Sequence, residues 1–248
     1  MDCIKNRRTI RKYKQMDVPS DLLNKLFAEA FRASTMGNMQ LYSVVITRDP
    51  QMKAKLSPAH FNQPMVMGAP VVLTFCADFN RFERWCEISN AVPGYKNFQS
   101  FMTAVLDTVI FAQQFCTIAE MKGLGCCYLG TTTYNAPEIA EVLQLPDRVV
   151  PVVTLTVGYP EGESVVSDRI PVEGIIHCER YDDYSDEFVA KLYAEKEARD
   201  DSKSFVAENK KQTLAQVFTD VRYTREANDC FSKIYRDFIE EKGFEFPK

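Results

Sequence analysis

The chain has 248 residues, 46% of them hydrophobic, which suits one large domain or two small ones with a sizeable core. Its formal net charge of −4 argues against a general nucleic-acid binder, which needs a basic face. No uninterrupted apolar run reaches membrane-span length, and the basic start MDCIKNRRTIRKY lacks the apolar stretch of a secretory signal, so a cytoplasmic protein with no membrane partner is expected.

In chain order, residues 2–8 read as a short helix ending near the arginines. Pro19, Ser20 and Asp21 open a second helix, whose Leu22, Leu23, Leu26, Phe27, Ala30 and Phe31 form an apolar stripe. Residues 34–40 break the pattern and read as loop; residues 42–47 are β-rich and read as a strand. Asp49 and Pro50 start a short helix. Residues 70–77, PVVLTFCA, form the continuous apolar run of a strand covered on both faces.

Residues 97–122 predict the longest helix, about 39 Å at 1.5 Å per residue. Its apolar residues cover more than one face, which implies burial against two partners, a second subunit or the chain's own core. Gly123 and Gly125 end it. A strand over 126–129 follows, then a helix capped by Asn135 with Ala136 and Pro137 and running to Gln144. Residues 151–159 read as another buried strand and 160–180 as loop. Beyond Tyr184 come charged helices near 185–197, 210–218 and 224–242, with 198–209 as a mobile connector. The layout is α+β with about four core strands in a single domain over 1–248: a core over 2–180 and a helical C-terminal extension over 185–248.

Eight cysteines occur without a Cys-x-x-Cys pair, several inside apolar runs, as expected of buried free thiols in a reducing cytoplasm. Clustered Cys/His spacing is absent and His60 and His177 stand alone, so no metal site is expected. Arg7, Arg8 and Arg11, with Thr9 among them, make either a phosphate receptor or a solvated basic turn. Lys122-Gly123-Leu124-Gly125 is no dinucleotide fingerprint, because its glycines follow a helix and lack a third partner. No nucleophile–base pair stands out, so a bound cofactor would carry any catalysis.

Taken together these segments resemble the nitroreductase family, in particular its NADPH nitroreductase and flavin reductase branch. Arg7-Arg8-Thr9-Ile10-Arg11 is similar to the family's opening His/Arg-Arg-Ser-x-Arg motif, with Thr for Ser. Asn38-Met39-Gln40 stands where a Ser-rich loop ends in Gln, and Phe75-Cys76-Ala77-Asp78-Phe79-Asn80-Arg81 resembles a family segment. Gln63 lies where this branch carries a glutamine near the flavin ring. Leu129-Gly130-Thr131 matches the Ile-Gly-Gly loop, with Thr131 for the second Gly. Ser167-Asp168-Arg169-Ile170-Pro171 matches Lys-x-Arg-x-Pro, keeping the arginine and replacing the lysine by Ser167. The likeness covers residues 2–175 and fades beyond 180.

The resemblance implies a mixed sheet flanked by helices, an intertwined homodimer and FMN at the subunit interface. It also implies ping-pong hydride transfer from NAD(P)H to nitroaromatics, quinones or flavins, with no catalytic side chain of its own. Arg7, Arg8 and Arg169 would neutralise the FMN phosphate, Arg11 would face the flavin N1/O2 edge, Gln40 and Gln63 would bond the ring or ribityl chain, and the Gly130–Thr131 backbone would donate toward N5. Lys210 and Lys211 occupy the segment that in the related branch holds the NADPH 2′-phosphate. Other tasks within the family, reductive dehalogenation or flavin fragmentation, remain open, as does a non-catalytic FMN-binding protein.

Overall fold

The computed structural model describes residues 2–246. In chain order it contains α1 (Asp2–Lys5), α2 (Ser20–Ala30), β1 (Tyr42–Thr47), α3 (Pro50–Leu56), α4 (Pro64–Gly68), β2 (Val71–Asp78), α5 (Asn80–Ile88), α6 (Phe98–Met121), β3 (Gly125–Leu129), α7 (Ala136–Leu143), β4 (Val149–Gly158), α8 (Asp186–Ala198), α9 (Asp200–Glu208), α10 (Leu214–Val217) and α11 (Arg225–Glu241). These elements fall into two compact units. One runs to Val165 and includes the stretch from Phe231 onward; the other is Val166–Cys230.

The first unit is built on a four-stranded sheet in the order β1-β2-β4-β3. The expected α+β class holds, but the expected mixed sheet does not: among the described residues the three pairings of β1–β4 are antiparallel, and the one parallel contact is an isolated bridge between Asn97 and Glu245. β2 and β3 run in the same direction across the α6 crossover, yet β4 inserts between them, so no parallel ladder forms. All eight residues of β2 are buried, as its unbroken apolar run implies for a strand covered on both faces.

α6 packs against α2 and the sheet. Leu23, Leu26, Phe27 and Ala30 repeat at helical spacing and form the buried face of α2. Phe27 stacks on Phe115 of α6 with ring centroids 4.6 Å apart. α6 is, among the described residues, the one helix long and apolar enough to cross a membrane, and in this fold it serves as the central core helix. Its buried face runs through Phe101, Ala104, Phe111, Phe115 and Ala119, while Leu106, Val109 and Ile110 form an exposed apolar stripe. At the far end of the core, Arg148 makes a two-pronged ion pair with Glu83 (2.9 and 2.7 Å) and lies 4.0 Å over the buried Phe244 ring.

Three local expectations change. The first helix stops at Lys5 instead of reaching Arg8, because the arginine segment extends alongside β3, Ile10 N–H donating to the Cys126 carbonyl at 3.1 Å. Residues 198–209 are not a mobile connector: α9 forms there, with Asp200 and Asp201 at its positive N-terminal end and Arg199 paired to Asp201 at 3.0 Å. Asn135 does not cap α7 with its side chain, which donates instead to the Ala59 carbonyl at 2.7 Å.

Candidate functional site

At the β3 edge of the first unit, the segment Arg7–Arg11 is fixed by its backbone. Ile10 presses so closely on Gly125 that a Cβ there would lie 2.5 Å from Ile10 Cγ1, so only glycine fits. Buried Tyr13 donates to the Ile10 carbonyl at 2.7 Å and bonds the Thr156 hydroxyl at 2.7 Å. Thr9 is half-buried and Arg8 and Arg11 are exposed; Arg8 donates to the Ser164 carbonyl at 3.2 Å. Arg7 is already engaged, with Nε 3.4 Å from Glu120 Oε1. A cleft of about 340 Å³ opens here, lined by Arg7, Arg8, Ile10, Glu120 and Leu124.

β3 leads to Leu129, which is buried, and Gly130, which is exposed with open space where a side chain would stand. Thr131 turns inward, and its hydroxyl meets Nδ1 of His60 at 2.8 Å. His60 is fully buried and its Nε2 has no partner among the described residues. Burial pushes its pKa down to about 4, so the ring is neutral at pH 7. The His60 carbonyl accepts from Gln63 N–H at 3.1 Å, so one residue ties the Gly130–Thr131 turn to half-buried Gln63 at the start of α4. Sequence reading set His60 aside as a lone histidine. The inward-facing Thr131 hydroxyl that gives it a role shows only in three dimensions.

Asn38 and Gln40 lie elsewhere. Both are exposed, both take left-handed backbone angles (φ 54° and 55°), and they lead into β1. Their loop is held by Asp107 from the middle of α6. That fully buried carboxylate accepts from Met36 N–H (2.8 Å), the Thr35 hydroxyl (2.5 Å) and Leu41 N–H (3.3 Å). The Thr35 hydroxyl in turn accepts from Gln40 N–H at 2.9 Å, and Arg81 donates to the carbonyls of Gln40 and Tyr42. A second cleft, about 470 Å³, is lined by Gln40, Tyr42, Ser43, Arg81 and Phe111. Asp107 was missed from sequence, although an acid inside an apolar helix is a signal in itself: buried carboxylates need partners.

The two groups occupy opposite edges of the sheet. β1 and β3 are separated by β2 and β4, roughly 14 Å across three inter-strand steps. The chain therefore brings Arg8, Arg11, Gln63 and Gly130–Thr131 to one edge and sets Asn38 and Gln40 at the other.

The second unit carries the remaining expected cations. Arg169 is exposed and folds back on its own loop, donating to the carbonyls of Asp168 (2.7 Å) and Ser167 (3.4 Å). Asp168 is paired with Lys196 at 2.9 Å, and that hydrogen bond holds its carboxyl below the usual range. Lys210 and Lys211 follow α9. Lys210 is exposed, and among the described residues it makes no ion pair; Lys211 is held by Asp220 at 2.9 Å.

Comparison with known proteins places this geometry. The model of the nitroreductase family matches residues 4–159, more than half of the chain. A solved structure from Bacteroides fragilis, assigned as an oxidoreductase, is 58% identical with a TM-score of 0.97, covering 98% of this chain and 99% of that one. An "FMN reductase (NADPH)" of Bacillus subtilis is 33% identical over 193 residues, 76% of each chain. A nitroreductase structure from B. subtilis is 27% identical with a TM-score of 0.85, covering 99% of this chain and 98% of that one.

Proposed function

The chain belongs to the nitroreductase family, and from that premise we propose that it is an FMN-dependent NAD(P)H oxidoreductase passing reducing equivalents to nitroaromatics, quinones or flavins in a ping-pong sequence. The observation that carries this reading is the β3 edge, where exposed Arg8 and Arg11 flank a strand that ends in the open Gly130 turn. Cationic side chains at one end and an unobstructed backbone at the other fit a long ligand with an anionic tail and a flat polar head.

Bound FMN supplies the hydride chemistry that no side chain here offers. The protein's part is binding and electrostatics. Arg8, with Arg7, would neutralise the phosphate; Arg11 would place positive charge at the N1/O2 edge of the ring. Gln63 would hydrogen-bond the ring or ribityl chain, and the Gly130–Thr131 backbone would donate toward N5. Thr131 keeps its hydroxyl on His60, which leaves the turn's main chain to serve the ligand.

We further infer a homodimer with shared sites in a reducing, cytoplasmic setting. Two observations support the pairing. Leu106, Val109 and Ile110 form an exposed apolar stripe on α6. Asn38 and Gln40 stand a sheet's width from the β3 edge, so a second copy would supply them to complete the site.

The test is direct. Purified protein should be yellow, release FMN and not FAD on denaturation, and oxidise NADPH with menadione or a nitroaromatic. A colourless preparation that FMN cannot reconstitute would overturn the reading. A stable wild-type monomer that retains FMN would overturn the shared site.

A further inference from the structure

Beneath the Arg7 cleft lie two thiols and a carboxylate that flavin chemistry does not use. Cys116 and Glu120 stand one turn apart on α6 and so share a face; Cys126 faces them from β3. The two sulfurs and a Glu120 carboxylate oxygen all lie within 4.8 Å of one another. Both thiols are fully buried and neither is in a disulfide. Arg7 stands on the cleft side of the cluster, its guanidinium beside Glu120. A second cavity of about 90 Å³ reaches the same place between Arg7, Gln113, Thr117 and Glu120. Arg7 and Glu120 line both cavities, and the two thiols lie buried behind them, a grouping that is more than packing requires.

The two sulfurs are unequal. The hydrogen bond from Cys126, helped by Arg7, draws the Cys116 thiol below its ordinary range despite burial. The same contact, with burial, pushes Cys126 far above it. Cys116, which shares the α6 face of Glu120, takes the nucleophile's part and Cys126 that of the proton-bearing partner.

We propose that Cys116 and Cys126 form an oxidant-reactive dithiol site, which small hydroperoxides convert into a reversible disulfide. The Cys116 thiolate attacks one oxygen of hydrogen peroxide, the O–O bond breaks, and the departing oxygen leaves as hydroxide and is protonated to water. Cys116 is then a sulfenic acid. The Cys126 sulfur attacks the Cys116 sulfur, the S–S bond forms, and the hydroxyl leaves with the Cys126 proton as a second water. The thiol pair loses two electrons and the peroxide gains them. Arg7 stabilises the attacking thiolate and faces the charge that develops on the leaving oxygen, while Glu120 holds the guanidinium over the sulfur. A cytosolic thiol reductant restores the pair.

The exposed cysteines supply the control, because Cys178 and Cys230 react first if reactivity follows exposure alone. The purified protein is treated with limiting hydrogen peroxide, free thiols are alkylated, and peptides are mapped by mass spectrometry. The expected product is a Cys116–Cys126 cross-linked peptide, lighter by the mass of two hydrogen atoms and lost on adding dithiothreitol. Arg7→Gln should slow its formation about tenfold, the effect of one pKa unit on the thiolate fraction. Cys126→Ser should leave a Cys116 sulfenic acid that dimedone labels. The proposal is overturned if Cys178 and Cys230 oxidise while Cys116 and Cys126 stay reduced, or if Cys3 is the residue joined to either. It is equally overturned if the pair binds added Zn²⁺ one-to-one yet never cross-links, which would make the cluster a metal site. The mapping uses the unaltered chain and needs no flavin, so it stands whether or not the variants fold and whether or not FMN binds.

Discussion

The two edges of the sheet position their candidate ligand groups by different means. At β3 the work is done by the main chain and by close approach: Ile10 against Gly125, Tyr13 on the Ile10 carbonyl, Thr131 on His60. At β1 a loop with left-handed residues hangs from one buried carboxylate, Asp107, which three donors share. The first arrangement is spread over many contacts and should tolerate the loss of any one. The second is concentrated, and should fail when its single anchor is removed.

Asp107→Ala is therefore expected to have the largest effect. It strips the acceptor from two backbone N–H groups, that of Leu41 buried, and one hydroxyl, at a cost of about 3–5 kcal/mol. Urea unfolding should show the loss, and FMN affinity should fall with it, since Asn38 and Gln40 lose their support. Gln40→Ala, by contrast, touches an exposed side chain and should leave stability unchanged within about 0.5 kcal/mol. A loss below about 1 kcal/mol for Asp107→Ala would show that the loop has other anchors and erase the contrast between the edges.

The β3 edge is probed through His60. Its pKa is depressed in the folded protein, to about 4 from 6.5, because burial opposes the charged ring. Between these values the unfolded chain binds the extra proton, so the contribution to stability is full above the unfolded pKa and is lost as pH falls toward the folded one. From about pH 7 to about pH 5 the wild type should lose about 2 kcal/mol through this group. His60→Gln has nothing to titrate, and its denaturation midpoint should change correspondingly less over the same range. Parallel pH profiles for the two proteins would mean that the ring is solvated and does not brace the Thr131 turn.

How much of this was legible in the sequence differs between the edges as well. Strand 42–47, the doubly covered run ending in VVLTFCA and the long helix from Asn97 could be read because apolar periodicity records burial directly. So could the arginine segment and Leu129-Gly130-Thr131, as contiguous motifs. The partners of Asp107, His60 and Arg81 could not, since they lie 39 or more positions away along the chain. α9 was misread because its polar composition suggested disorder, while the placement of Asp200 and Asp201 at a helix start, where the backbone dipole favours acids, was the stronger cue. The antiparallel sheet was out of reach for a third reason: strand order depends on where β4 inserts, and no local pattern encodes that.

The smallest expected effect extends the same distinction, between a side chain already engaged and one left free, to the lysines after α9. Lys211 is paired with Asp220, so its charge is largely spent within the unit; Lys210 is exposed and makes no ion pair among the described residues. If this segment meets the 2′-phosphate of NADPH, Lys210 is the residue that can do so without first breaking a bond. Removing one exposed charge is worth about 0.2–1 kcal/mol, so Lys210→Ala should raise KM for NADPH by roughly 1.4- to 5-fold. NADH, which lacks that phosphate, should be nearly unaffected. Lys211→Ala should do less, because its charge is already offset by Asp220, and the carboxylate it unmasks would repel the dinucleotide only weakly through solvent. Added salt should erase the Lys210 effect, since an exposed ion pair is screened at short range. Steady-state kinetics with both dinucleotides at two ionic strengths would decide. Equal changes for NADPH and NADH in Lys210→Ala would show that the 2′-phosphate is read elsewhere, and a larger effect at Lys211 than at Lys210 would show that the Asp220 pair opens when the dinucleotide binds.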